Sequence, residues 1–200
     1  MSAPEVLVVP TGTANLASVR AALGRLGARV RLAESAAMIE DATHVVLPGV
    51  GSFGAAVAGL REAGFDEAVA ARVRAGRATL AMCVGLQVLF EASDESPHAM
   101  GLAVLPGRVG RFPDAVRVPQ FGWNRVVPEP GCRLVEPGYA YFANSYRVLE
   151  APGCALATAQ HGGRFIAALE RDAVLACQFH PELSGAYGHR LIARWLESRC

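Results

Sequence analysis

Residues 78–87, ATLAMCVGLQ, constrain the fold more than any other stretch of the chain. Ala78–Met82 is an uncharged, apolar run of strand length. Val84, Val88 and Leu89 begin a helical recurrence with no turn residue in between. A strand that becomes a helix at one residue bends so sharply that only small side chains fit beside the bend. Ala81 and Gly85 meet that need on either side of Cys83. The pattern is that of a nucleophile elbow carrying a thiol. The alternative is a buried structural cysteine, the commoner role of a lone one. At an elbow, the helix dipole and a neighbouring imidazolium would favour the thiolate.

The flanking sequence supplies the framework such an elbow needs. Glu5–Val9, Arg29–Leu32 and His44–Leu47 read as short strands. Leu16, Val19, Leu23 and Leu26 recur at helical spacing up to Gly27, and Phe53–Leu60 and Phe65–Val73 read as helices parted by Gly64. Strands alternating with helices imply a mostly parallel sheet covered on both faces. The character changes at the polar loop SDESPHA, 93–99. Beyond it, short strands are expected at Arg108–Phe112, Gly122–Val127, Tyr139–Phe142, Tyr146–Leu149, Ala155–Ala159, Phe165–Glu170 and Val174–Phe179, then a last helix over Gly188–Ser198. No repeat or long linker divides the chain. The expectation is one α/β domain over 1–200: a central, mostly parallel sheet flanked by helices, with antiparallel strands added in the C-terminal half.

Composition removes several functions. All 19 basic residues are arginine, so a mechanism built on a Schiff-base or phosphate-loop lysine is excluded. A net charge of +1, with both signs interspersed, gives no electrostatic footprint for nucleic acid or an acidic membrane. The five cysteines, at 83, 132, 154, 177 and 200, include no CxxC pair, so neither a disulfide framework nor a zinc ribbon is indicated. Ala42–Leu60 is uncharged and nearly long enough to cross a bilayer, but Pro48-Gly49 and the glycines after it break it into strand, loop and helix. The start, MSAPEVLVVP, lacks the basic and long apolar regions of a signal peptide, which makes the cytoplasm the expected compartment.

Two further motifs bear on chemistry. GVGSFG at 49–54 satisfies G-x-G-x-x-G, but it follows the third strand, a proline opens it, and Arg72 and Arg74 stand about 20 residues on, where a ribose-binding acid is wanted. A glycine-rich turn with N–H groups exposed at a helix start suits an oxyanion as well as a phosphate. QFHPE at 178–182 ends an apolar strand. His180 and Glu182, two residues apart around a proline, can lie side by side as a base and the group that orients it. The chain order Cys, His, Glu fits an α/β hydrolytic triad. His180 and Glu182 have no companion ligands at suitable spacing, and His44, His98, His161 and His189 are isolated, so neither a metal nor a cofactor is expected.

Together the cysteine elbow, the PGVG loop and the terminal HPE resemble the class-I (triad) glutamine amidotransferases over nearly the whole chain. The resemblance narrows to the glutaminase subunits of imidazole glycerol phosphate synthase. It is carried by ANLASV at 14–19, LPGVGSF at 47–53, CVGLQVLFEAS at 83–93, GLAVLPGRVGRF at 101–112, VPQFGWN at 118–124, YFANSY at 141–146 and CQFHPELSG at 177–185. It implies a flavodoxin-like or α/β-hydrolase-like fold and a Cys83–His180–Glu182 triad that hydrolyses glutamine through a cysteinyl thioester. It implies an oxyanion hole from Val84 and the loop Gly49, Val50 and Gly51, with glutamine held by Gly51, Gln87, Ser145 and Tyr146. It also implies a heterodimer with a (β/α)8-barrel cyclase subunit. That subunit would take the ammonia to make imidazole glycerol phosphate and aminoimidazole carboxamide ribonucleotide in histidine biosynthesis, and would face Asn15, Pro119, Trp123 and Tyr141.

The chain departs from that family's pattern in places. TGTA at 11–14 stands for a glycine-rich turn, Ala81 for the first elbow glycine, Gln120 and Asn144 for frequent histidines, and Leu183 for a lysine after HPE. The two amides keep hydrogen-bond donors, whereas Leu183 removes a charge from the side facing the barrel. Competing readings are a glutaminase subunit of another synthetase, a non-catalytic amidotransferase-like subunit, and a related α/β cysteine hydrolase acting alone.

Overall fold

A computed structural model describes residues 3–11 and 16–198. Asn15, expected at a partner surface, lies outside the described residues. The first half alternates as the sequence pattern predicts. It runs β1 (Glu5–Val8), α1 (Leu16–Arg25), β2 (Arg29–Leu32), α2 (Ala36–Asp41), β3 (His44–Leu47), α3 (Phe53–Glu62), α4 (Asp66–Arg74), β4 (Thr79–Met82) and α5 (Val84–Gln87). The second half adds β5 (Ala92–Ser93), β6 (Arg108–Arg111), β7 (Gln120–Pro128), β8 (Gly138–Asn144), β9 (Tyr146–Arg147), β10 (Ala155–Gln160), β11 (Arg164–Arg171), β12 (Val174–Cys177), a 3-10 turn at Pro181–Leu183 and α6 (Gly185–Glu197).

Nine strands form one sheet in the order β2-β1-β3-β4-β12-β11-β10-β7-β8. From β2 to β12 all neighbours are parallel. From β12 to β8 all are antiparallel. The change falls at β12, which is parallel to β4 and antiparallel to β11. β4 and β12 are buried at every residue, as strands covered on both faces must be. One core gathers Phe53, Leu60, Val69 and Phe90 from the α3–α4–α5 side. The other gathers Leu23, Phe142, Phe179 and Trp195 from the α1–α6 side. No helix among the described residues is long and apolar enough to cross a membrane.

The sequence reading misses some elements and misplaces some ends. α2 went unread. It has only six residues, one of them buried, and it starts because the Ser35 hydroxyl accepts from Met38 N–H at 3.4 Å. β9 stops at Arg147 instead of Leu149, pairing only with β6. α6 starts at Gly185, three residues early, because Gly185 at φ 55° turns the chain directly out of the 3-10 turn. α5 ends at Gln87, short of the helical recurrence that runs through Leu89.

Candidate active site

The elbow forms where β4 meets α5. Cys83 takes φ 52° and ψ −110°, a strained conformation for a side chain with a Cβ. Its N–H is held by the Cys177 carbonyl of β12 at 2.7 Å. A Cβ on Gly85 would lie 2.1 Å from the Leu47 carbonyl oxygen, so α5 starts here only because that residue is glycine. A Cβ on Gly49 would meet the Gly85 nitrogen at 2.8 Å. The PGVG loop therefore packs backbone to backbone against the elbow. Leu86 and Gln87 N–H groups turn back to the Cys83 carbonyl, whereas the first N–H of a helix, here that of Val84, has no acceptor within it. Gly51, at φ 87°, bends the loop back at its exposed edge.

The histidine arrives from β12. Its side chain and that of Glu182 are only 7% and 4% exposed, and Nδ1 lies 2.9 Å from Glu182 Oε1. The other ring nitrogen is left free of Glu182, and Cys83 lines the same cavity. Burial alone would lower the His180 pKa. Hydrogen bonds and charge from Cys83 and Glu182 outweigh burial and push it up to about 10. The ring therefore carries its proton at neutral pH. The backbone of this turn is tied to the hairpin. His180 N–H donates to the Tyr141 carbonyl at 2.9 Å, and the Ser184 hydroxyl donates to the His180 carbonyl at 2.6 Å while accepting from Tyr141 N–H at 2.9 Å.

A cavity of about 220 Å³ opens between these parts. Val50, Gly51, Val84, Cys83, His180, Gln87, Ser145 and Tyr146, all expected from the sequence, line it together. Gly49 does not line it and sits behind, against the elbow. Glu182 stands behind His180. Four lining residues were not expected there: Glu95, Phe121, Ala143 and Asn144. Glu95 comes from the polar loop, brought in because its carboxylate caps α3, accepting from Phe53 N–H at 2.7 Å. Gln120 and Asn144 face each other across β7 and β8, both buried, each with its amide oxygen unpaired among the described residues.

Of the expected partner residues, Pro119 and Tyr141 are half-buried and Trp123 is 58% exposed. Trp123 pairs edge-on with Tyr141 at 6.2 Å. Phe121, 66% exposed, and Tyr139 continue the same face of the hairpin, and Leu183 is exposed in the adjoining turn.

A thiol in a strained elbow, a buried histidine–glutamate pair and a small cavity are the parts that acyl transfer requires. Comparison with known proteins narrows it. Residues 7–197 match the sequence profile of glutamine amidotransferase class-I. The chain belongs to that family. Among its relatives, the imidazole glycerol phosphate synthase subunit HisH of Symbiobacterium thermophilum is 39% identical, the match covering 98% of this chain and 94% of that one. The proteins of the same description from Gloeobacter violaceus and Xylella fastidiosa are each 41% identical, covering 97% and 96% of this chain and 89% and 97% of theirs. Solved structures agree on the fold. A crystal structure described as a glutamine amidotransferase superposes with a TM-score of 0.76 at 24% identity, covering 96% of this chain and 97% of that one. The structure of PurLQS from Thermotoga maritima gives 0.75 at 17%, covering 98% of each. For a class-I glutamine amidotransferase, the cavity's position at the carboxyl ends of the parallel strands β4 and β12 is where an open α/β sheet places its ligand.

Proposed function

We propose that this class-I glutamine amidotransferase is the glutaminase subunit of an imidazole glycerol phosphate synthase, with Cys83, His180 and Glu182 as its triad. The reading rests on one cavity that gathers the elbow thiol, the protonated imidazole and the PGVG loop, in a chain aligned nearly end to end with HisH subunits. The whole chain, 1–200, acts as one domain, a reading supported by the single nine-stranded sheet running through its described residues.

The Cys83 thiolate attacks the side-chain carboxamide carbon of glutamine. The carbonyl electron pair moves onto oxygen, met by backbone N–H groups of Val84 and the 50–51 loop. Each such donor contributes about 3 kcal/mol in comparable sites. Collapse of the intermediate expels ammonia, which takes its third proton from His180, and leaves a γ-glutamyl thioester on Cys83. His180 then deprotonates water, water adds to the thioester, the thiolate leaves, and glutamate is released. Glu182 keeps the imidazole oriented and stabilises its charged form before ammonia leaves and again once water has been deprotonated. Gly51, Gln87, Ser145 and Tyr146 hold the substrate, and Glu95 places a carboxylate where an ammonium group is best met.

Ammonia that escapes into neutral water becomes ammonium and is no longer a nucleophile. The aromatic face of Phe121, Trp123 and Tyr141 borders the cavity and is the docking face for the cyclase subunit that consumes it, with Pro119 and Leu183 at its margin. Large aromatics with a polar edge suit such anchors. Four free cysteines and no disulfide among the described residues fit a reducing cytoplasm.

The test is glutamate formation from glutamine by the purified chain, alone and with the cyclase of the same organism plus its nucleotide ligand. Strong stimulation by the liganded cyclase is expected. Activity indifferent to the cyclase would assign the subunit to another synthetase, and a folded but inactive chain in every mixture would make it a non-catalytic relative.

A further inference from the structure

The carboxamide of Gln178 is 0% exposed, and the mechanism above does not use it. Its Nε2 donates to Cys83 Sγ at 3.7 Å, an ordinary reach for an N–H to sulfur. Its Oε1 accepts from Gln87 Nε2 at 3.0 Å. The same Gln87 nitrogen approaches the Tyr146 carbonyl oxygen at 3.5 Å, and that carbonyl also accepts from Asn144 Nδ2 at 2.9 Å.

The direction of an amide chain is ordinarily ambiguous, because its nitrogen and oxygen are interchangeable in shape. Here a backbone carbonyl, which only accepts, settles it. Tyr146 O requires the NH2 end of Gln87. That NH2 requires the oxygen end of Gln178. The NH2 end of Gln178 is then left for the sulfur. Turning Gln87 over would set its oxygen against two other oxygens, and turning Gln178 over would set NH2 against NH2.

We propose that Gln178 is a catalytic residue of the glutaminase reaction: its side-chain N–H steadies the Cys83 thiolate, and its oxygen ties the nucleophile through Gln87 to the wall of the glutamine pocket. The proposal rests on the glutaminase reading. No proton leaves Gln178. Gln178 contributes only a hydrogen bond to the sulfur, which is negative when it attacks and negative again as the thioester breaks. Such a bond favours the charged form of its acceptor. One corollary concerns Gln87. With both of its N–H groups committed, it has only Oε1 to offer, so it meets a donor group of the substrate and not a carboxylate.

The test uses the full chain and needs no glutamine. Alkylation of Cys83 by iodoacetamide at neutral pH, resolved from the other cysteines by peptide mass spectrometry, is compared in wild type and Gln178→Met, which keeps the volume and loses the donor. A fall of roughly tenfold or more is expected, the loss typical of a hydrogen bond to a charged acceptor. With the cyclase bound, kcat for glutamine should fall in proportion while KM changes less. Folded Gln178→Met that alkylates at the wild-type rate overturns the proposal. If Gln178→Met does not fold, Gln87→Leu carries the same test, because it frees the Gln178 amide to turn; an unchanged rate there overturns the proposal equally. A wild-type chain that alkylates readily but never hydrolyses glutamine would overturn the glutaminase reading, while the effect of Gln178 on the thiol would still be measurable.

Discussion

The middle of the sheet and its antiparallel end are built to opposite specifications. At the centre, β4 and β12 are buried at every residue, and the loops around them approach so closely that Gly49 and Gly85 have no room for a methyl group. At the antiparallel end, the β7–β8 hairpin buries Gln120, Val126, Ala140, Phe142 and Asn144 on one face and turns Phe121, Trp123 and Tyr139 to solvent on the other. A sheet end with one face left bare and aromatic is unusual for a self-sufficient protein. The contrast teaches where geometry is fixed and where it waits. In the proposed mechanism the thiol and its base come from the closed centre, and the uncovered end borders the cavity from which ammonia would leave.

Four experiments would sharpen or break that contrast, taken from the largest effect to the smallest. Cys83→Ser should lower glutamine hydrolysis by about a thousandfold or more, since an alcohol in place of a thiolate is a far weaker nucleophile, with its circular dichroism unchanged. Retained activity would remove the closed centre from the chemistry. Gly85→Ala should cost about 3 kcal/mol in urea unfolding, because its methyl group overlaps the Leu47 carbonyl and the elbow must shift; a variant as stable as wild type would show the elbow to be loose. Trp123→Ala should weaken cyclase binding by about 2 kcal/mol, near the size of an interface anchor, while folding stability stays within about 0.5 kcal/mol, as for most surface changes. Lost stability with unchanged affinity would make the hairpin face part of the core.

The smallest effect concerns His44, which opens β3 against Trp195 at 5.2 Å. Burial, then the charge of Arg72, hold its pKa below 6.5. The unfolded chain takes up this proton near pH 6.5 and the native one only at lower pH, so stability falls as pH drops through 6.5. In His44→Asn the melting temperature should decline less steeply between pH 7 and 5; an identical slope would show that His44 does not contribute to acid sensitivity.

The parallel half was legible in the sequence because β1, β3 and β4 are compact apolar runs and Gly27, Pro48-Gly49 and Gly64 mark turns between elements. Cys83 and His180 could be paired from motif and chain order, and the PGVG loop joined them through the family resemblance. What stayed hidden was set by contacts far apart in sequence. Glu95 sits in a run of polar residues that reads as solvated, and only its bond to Phe53 N–H turns it into the cavity. Gln178 reads as the next alternating position of a strand, and its role depends on Gln87, 91 residues away. α2 left no signal because its burial rests on Ile39 alone.

The bond from His180 N–H to the Tyr141 carbonyl has a mechanical consequence. Tyr141 shows one side to solvent beside Trp123 and holds the base in place through its backbone, with Ser184 clamping the same joint. The hairpin is thus a handle on the imidazole. A one-residue deletion between Gly138 and Tyr141 would drag the base with the aromatic face, whereas trimming the aromatic side chains leaves the handle's grip intact.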